Sequence, residues 1–309
     1  MSRIERHTED DFEEKGTPLT ASISYKDIPG ATAETFSPKD VCAEADRIYI
    51  LNNAAKHYSI EVFEEKEGKL QHIRSISSWQ FNGNGQTFAG EPNGITVSHG
   101  KLYVTSTESR TFIFDTATLQ YSTCIGTGSW GDGGAQTVHA FDAMVRRGMV
   151  FIRDKRKVCI YKEEDVTPQN YPTICRYSQT SNLGEAMGTY GLAMDKGGML
   201  YTTHYGNKAI YGFDITALQA SSTVYPTVTL KLQANVYDIA IFNRRMFATL
   251  NQKQRLVELN PKDGSILKDY TQTGGADFSG AEKFSVSRST LFVANPKTKT
   301  VTAIPVPEN

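Results

Sequence analysis

Two tryptophans, six histidines and one dense basic run are the side chains of this sequence with the clearest capacity for chemistry. Trp79 and Trp130 sit in glycine-rich polar stretches, SSWQFNGNGQTFAGE (77–91) and TGSWGDGGAQT (127–137). An indole there offers a flat apolar surface with one donor, suited to a sugar ring, a base or a partner's side chain, and equally suited to folding down as a cap. The run RDKRK (153–157) brings Arg153, Arg156 and Lys157 together, with Arg255 at a corresponding later turn. Such a cluster attracts an anionic partner, although a solvated turn has the same composition. His139 and His204 lie near these stretches, and an imidazole with acids nearby can act as a general base. His7, His57, His72 and His99 fit surface or turn positions. No GxSxG or HExxH motif is present, so no catalytic residue is assigned. The cysteines, Cys42, Cys124, Cys159 and Cys175, show no CxxC spacing, so no zinc set is assigned either. Cys159 and Cys175 fall on adjacent strands of one hairpin, where they form a disulfide if the register matches, or else act as small buried hydrophobes.

Charged residues make up 22% of the chain and the formal net charge is -1, which argues against the overall basicity of nucleic-acid binders. No apolar run approaches the length of a spanning helix. The first residues lack a basic start followed by an apolar core and a cleavage site, so the expected location is cytoplasmic unless a leader has been removed. Residues 1–17 carry Glu5, Glu9, Asp10, Asp11, Glu13 and Glu14 and little that could pack, which predicts a flexible acidic tail ahead of a single domain at 18–309.

The elements that must position these residues emerge from an internal repeat. One apolar motif recurs after a tight turn: RIYILN (47–52), KLYVTS (101–106), GMVFIR (148–153), MLYTTH (199–204), RMFATL (245–250) and TLFVAN (290–295). The interval is about 45 to 54 residues, a period that marks a propeller. Each copy has a short apolar strand before it and a third strand after it, such as FIFD, YGFD or VELN, and a fourth follows in YSTCIG, PTICRYS, VTLKL and LKDYTQT. The fold class is therefore all-β: a six-bladed β-propeller with four-stranded antiparallel blades. The sixth copy ends before a fourth strand, while LTASISY (19–25) alternates apolar and polar residues without a blade of its own. That N-terminal strand is expected to complete blade six and close the ring, removing open sheet edges.

In such a ring the start of each innermost strand lies at the mouth of the central channel. Lys39, Asn93, Phe141, Tyr190, Tyr237 and Glu282 take equivalent places there, followed by Asp40, Gly94, Asp142, Gly191, Asp238 and Lys283. This mixed ring could hold a small polar ligand. The loops that lead into the blades and the loops between second and third strands share that face, and long loops on a rigid scaffold commonly carry function.

The stretches PNGITVSHGKLYVTSTESRTFIFD (92–115) and GLAMDKGGMLYTTHYGNKAIYGFD (191–214), with GSWGDGG (128–134), resemble NHL-repeat blades and gluconolactonase-like (SMP-30-like) propellers. The resemblance implies a divalent cation held in the channel by a Glu, an Asn and an Asp from different blades. Asn93 in PNG matches the family's Asn, but Tyr190 stands where the Asp is expected and Lys39-Asp40 where the Glu belongs, leaving Asp238 as a substitute from another blade. Propellers host hydrolases, lyases and pure binders alike. The expectation is a noncatalytic binding or scaffolding module that recognises a protein or glycan through Trp79, Asn93, Trp130, His139, Arg153, Arg156, Lys157, Tyr190, His204, Tyr237, Asp238 and Arg255, without a cofactor. A metal-dependent lactonase, or a structural subunit of a cell-surface or virion assembly, is the alternative.

Overall fold

The computed structural model describes residues 17–81, 83–128, 137, 139–155, 157–167, 177–180, 191–215, 225–251, 255–273 and 276–306. The strands form six four-stranded antiparallel sheets arranged as blades, with two small hairpins beside them. The first strands, next to the axis, are Pro38–Glu44, Pro92–Ser98, Ala140–Arg146, Leu192–Met194, Val236–Phe242 and Phe284–Ser287. Each is followed by the strand whose motif repeats in the sequence, from Arg47–Asn52 in blade 1 to Thr290–Asn295 in blade 6.

Those second strands read as unbroken apolar runs because neighbouring blades cover both of their faces. Side chains alternate across a strand. In blade 1, Ile48 and Ile50 enter the cluster shared with blade 6, while Tyr49 and Leu51 enter the cluster shared with blade 2. Every junction between blades has its own buried cluster of this kind. The core is thus a ring of wedges around the channel.

Blade 6 is completed from the N-terminus, as the alternation of LTASISY implies. Ala21–Ser24 pairs antiparallel with Thr300–Pro305, from Ala21 opposite Ala303 to Ser24 opposite Thr300. Ile23 is buried in the blade 6–blade 1 cluster, and the Leu19 amide donates to Thr290 Oγ1 at 2.9 Å. The acidic stretch 1–16 lies outside the described residues.

Two details differ from the sequence reading. The fourth strand of blade 3 is Tyr177–Thr180, beyond most of PTICRYS; it puts Ser178 opposite the buried Cys159, and Cys175 lies outside the described residues. The glycine-rich stretch around Trp79 is a β-hairpin of its own, Ser78–Phe81 paired with Asn84–Thr87. Among the described residues no helix is long and apolar enough to cross a membrane.

Candidate functional site

Local geometry at the channel mouth begins with a repeated bulge. The ladder between first and second strands shifts register between Pro38 and Asp40, Pro92 and Gly94, Ala140 and Asp142, and Val236 and Asp238. A bulge sets two residues against one and re-aims the next side chain. In blades 1, 3 and 5 that next residue is aspartate, and each carboxylate reaches into the following blade. Asp40 accepts from the Val41 amide at 2.8 Å and from Ile95 of blade 2 at 2.9 Å. Asp142 accepts from Ala143 and from Leu192 of blade 4, both at 3.0 Å. Asp238 accepts from Ile239 and from Phe284 of blade 6, both at 3.0 Å.

The equivalent position in blades 2 and 4 is glycine, and the space is needed. A Cβ on Gly191 would lie 2.5 Å from Asp238 Oδ1, and one on Gly94 would lie 2.8 Å from the Phe141 carbonyl and 3.0 Å from Lys283 Nζ. Blade 6 breaks the alternation with Lys283. Its ammonium, 2% exposed, sits 3.0 Å from Asp142 Oδ1 and 3.4 Å from Asp40 Oδ2, and donates to the Phe141 carbonyl at 3.3 Å. Burial raises the carboxyls, Asp40 to about 6 with Lys283 opposing and Asp142 reinforcing the shift. Asp142 is raised for the same first reason, and Asp238, which Lys283 influences only through space, is pushed well above the ordinary aspartate value. Burial alone would lower Lys283, but Asp142, Asp40 and Asp238 outweigh it and hold the amine above its usual range. One cation among three buried carboxyls leaves charge uncompensated, so the ring retains protons that exposed aspartates would release.

The remaining junctions are closed by polar groups at the same level. Asn93 Nδ2 donates to Ala140 O at 3.1 Å, tying blade 2 to blade 3, and Thr203 Oγ1 donates to Tyr237 O at 3.2 Å, tying blade 4 to blade 5. Lys39 and Glu282 pair at 2.5 Å across blades 6 and 1. The chemistry of this constellation is that of a clasp.

Several residues expected to meet a ligand are positioned inside the structure. Trp79 is 7% exposed, with Phe88, Phe112 and Phe114 at centroid distances of 4.9, 5.0 and 5.4 Å and Tyr121 stacked at 6.0 Å, so it wedges the blade 1–blade 2 junction. Arg153 and Lys157 are fully buried: Arg153 Nη1 donates to the Lys157 carbonyl at 3.0 Å, and burial lowers the guanidinium to about 10, still charged at neutral pH. His204 is buried too, and its Nδ1 accepts from the Asn207 amide at 3.0 Å. That bond belongs to a repeated device at the end of the second strand. Asn52 Oδ1 accepts from Ala54, Ser106 Oγ from Glu108, Asp154 Oδ1 from Lys157 and Asn295 Oδ1 from Lys297, each capping the following turn. Asn93 is buried on its bond to Ala140, and Arg255 pairs with Asp269 at 2.6 Å on the blade 5 flank. Trp130, Arg156 and Tyr190 lie outside the described residues.

Among the described residues, four aromatic rings stay partly accessible at the mouth beside the Lys39–Glu282 pair. Half-buried His139 stacks on Phe141, with centroids 6.3 Å apart and planes at 13°. Burial, then Lys155, lowers His139, which keeps it neutral at physiological pH. Tyr205 and Tyr237 lie 5.5 Å apart, with the Tyr205 hydroxyl bonded to the Asn251 side chain. The candidate binding residues read from the sequence included His139 and Tyr237 but not their partners Phe141 and Tyr205. Phe141 was legible as a mouth position; Tyr205, just past the motif MLYTTH, carried no signal that it faces Tyr237.

The divalent cation implied by the gluconolactonase-like motifs does not fit these residues. Asn93 is buried with Nδ2 tied to a backbone carbonyl of the next blade, the carboxylates of Asp40, Asp142 and Asp238 each hold two backbone amides, and the Lys283 ammonium occupies the place a cation would take among them. A divalent site needs several converging oxygens with room between them.

No family model matches the chain, and no curated protein matches it. Among solved structures, the crystal structure of the WD40 β-propeller domain of Doa1 is similar, with a TM-score of 0.56 over 96% of this chain and 98% of that one at 9% identity. A likeness at that identity concerns the fold. The chain is a six-bladed β-propeller, similar in fold to a WD40 propeller domain.

Proposed function

We propose that this propeller is a noncatalytic binding module that takes a protein partner on the face around the channel mouth. The observation that carries the reading is the rim of half-buried rings, His139, Phe141, Tyr205 and Tyr237, set around charged groups already committed to one another. Rigid aromatic side chains lose little entropy on binding and dominate interface energetics, whereas the clasp residues are engaged in tying blade to blade. The fold likeness to a WD40 propeller domain is consistent with a scaffold.

The test is capture of partners from an extract of the source cells by the full chain and by a Phe141→Ala/Tyr205→Ala/Tyr237→Ala variant whose fold is verified by circular dichroism. A protein retained by the wild type and lost by the variant supports the reading. Equal retention by both, or loss instead on altering Arg244, exposed in the blade 5 turn between first and second strands on the opposite face, overturns it. Binding to a glycan array that the same triple variant abolishes would move the reading to a carbohydrate ligand. Turnover of a lactone that is sensitive to chelator would establish the enzyme.

A further inference from the structure

Below the clasp the channel holds a cavity of about 180 Å³. Asp40, Asp142 and Asp238 line one end; Arg146, Ser285 and Arg288 line it as well. Asp142 and Arg146 are on the same strand four positions apart, which separates the acidic and basic ends by roughly 13 Å. Acids therefore gather at one end of the cavity and donors at the other.

The donors at the basic end are incompletely used. Arg288 Nε and Nη2 and Ser285 Oγ are buried and have no hydrogen-bond partner. Glu65 pairs with Arg288 electrostatically, its carboxylate 3.7 Å from Nη1 and beyond hydrogen-bonding range. Arg146 spends Nη1 on its own Val145 carbonyl at 2.9 Å. The Arg288 side chain as a whole is 15% exposed while Nε and Nη2 are closed off from solvent, so a ligand reaches those two donors only with a shift of the side chain.

We infer that the basic end of the channel is a binding site for a small oxyanion, a phosphate or a compact polycarboxylate. The anion would accept from Arg288 Nε and Nη2 and from Ser285 Oγ, with Arg146 supplying the second positive charge from across the channel. Two parallel guanidinium N–H groups match the oxygens of a carboxylate or phosphate, and burial strengthens such bonds. This site is separate from the aromatic rim, and neither reading depends on the other.

The experiment is isothermal titration of the full chain with inorganic phosphate and with citrate, in chloride buffer. Saturable binding of either ion with one-to-one stoichiometry is expected. Arg288→Gln should weaken it by about tenfold or more, the scale of one lost charge-assisted interaction, and Ser285→Ala by less. Arg255→Gln, outside the channel, should leave it unchanged. Thermal midpoints of the ion-free variants verify that each is folded, and Arg288→Lys, which keeps the charge but not the fork, should fall between wild type and Arg288→Gln. Absence of saturable binding to both ions, or binding that Arg288→Gln and Arg146→Gln leave intact, overturns the assignment.

Discussion

Glycine at position 191 exists because an aspartate from the next blade folds against it. A methyl group there would meet Asp238 Oδ1 at 2.5 Å and the Asp238 Cα at 2.9 Å, and the carboxylate cannot swing aside without breaking the bond it accepts from the Phe284 amide. Gly191→Ala is expected to destabilise the protein by about 1–3 kcal/mol. Gly85→Ala, where the nearest atom is Gln80 Nε2 at 3.9 Å, should cost far less. Denaturant titration of both variants compares them, and equal midpoints would contradict the crowding. His204 acts at the same scale. Its role as a turn cap is shared with Asn52, Ser106, Asp154 and Asn295, so the chemistry required is an acceptor rather than an imidazole. His204→Ala should cost about 1–3 kcal/mol by leaving the buried turn amide unsatisfied, and His204→Asn should recover much of it. Rescue that fails would point to a role for the ring itself.

Ala21–Ser24 closes the sheet of blade 6 and delivers Ile23 to the junction with blade 1. Without it, Thr300–Pro305 becomes an unpaired edge whose amides and carbonyls invite another chain. Removing residues 1–16 is expected to leave the thermal midpoint nearly unchanged, in keeping with the proposal of an acidic tail. Removing residues through Tyr25 should lower the midpoint and produce aggregates detectable by light scattering. If both truncations behave alike, closure by the N-terminal strand contributes nothing to stability. The Ser78–Phe81 hairpin shows the same logic in a connection: it would be a loose loop but for Trp79, which pins it among Phe88, Phe112 and Phe114.

Across the whole ring, Lys283 reaches from blade 6 to touch blades 1 and 3. Lys283→Met should therefore act as the loss of a buried counter-ion, about 3–5 kcal/mol at neutral pH. The effect has a definite pH dependence. Asp40 titrates at about 6 in the folded protein, above its unfolded value, so its favourable contribution is complete below pH 4 and is lost as pH rises through about 6. Asp142 and Asp238 are shifted in the same direction. Without the ammonium all three rise further, and the stability gap between wild type and variant should widen from near pH 4 to near pH 8. Glu258, held low by Arg245, contributes with the opposite sign, being lost on acidification, but it is common to both proteins and cancels. Unfolding free energies at the two pH values test this, and a gap independent of pH would contradict the coupling.

The period of the second-strand motif, the number of blades, the vacancy in blade 6 and the strand that fills it were all legible in the linear sequence. So were the equivalent positions of Asp40, Asp142, Asp238 and Lys283. Strand alternation, tight turns and a repeat of about 45 to 54 residues are properties of nearby residues, and a ring of like units leaves little else to specify. Which way a side chain turns was decided only by the packed blades. Trp79, Arg153, Lys157 and His204 have compositions suited to an exposed site, yet each is buried. The aspartates show the reason most clearly: the amides of Ile95, Leu192 and Phe284 that hold them come from the following blade, some 50 residues away in the chain, and only the closed ring brings them within 3.0 Å.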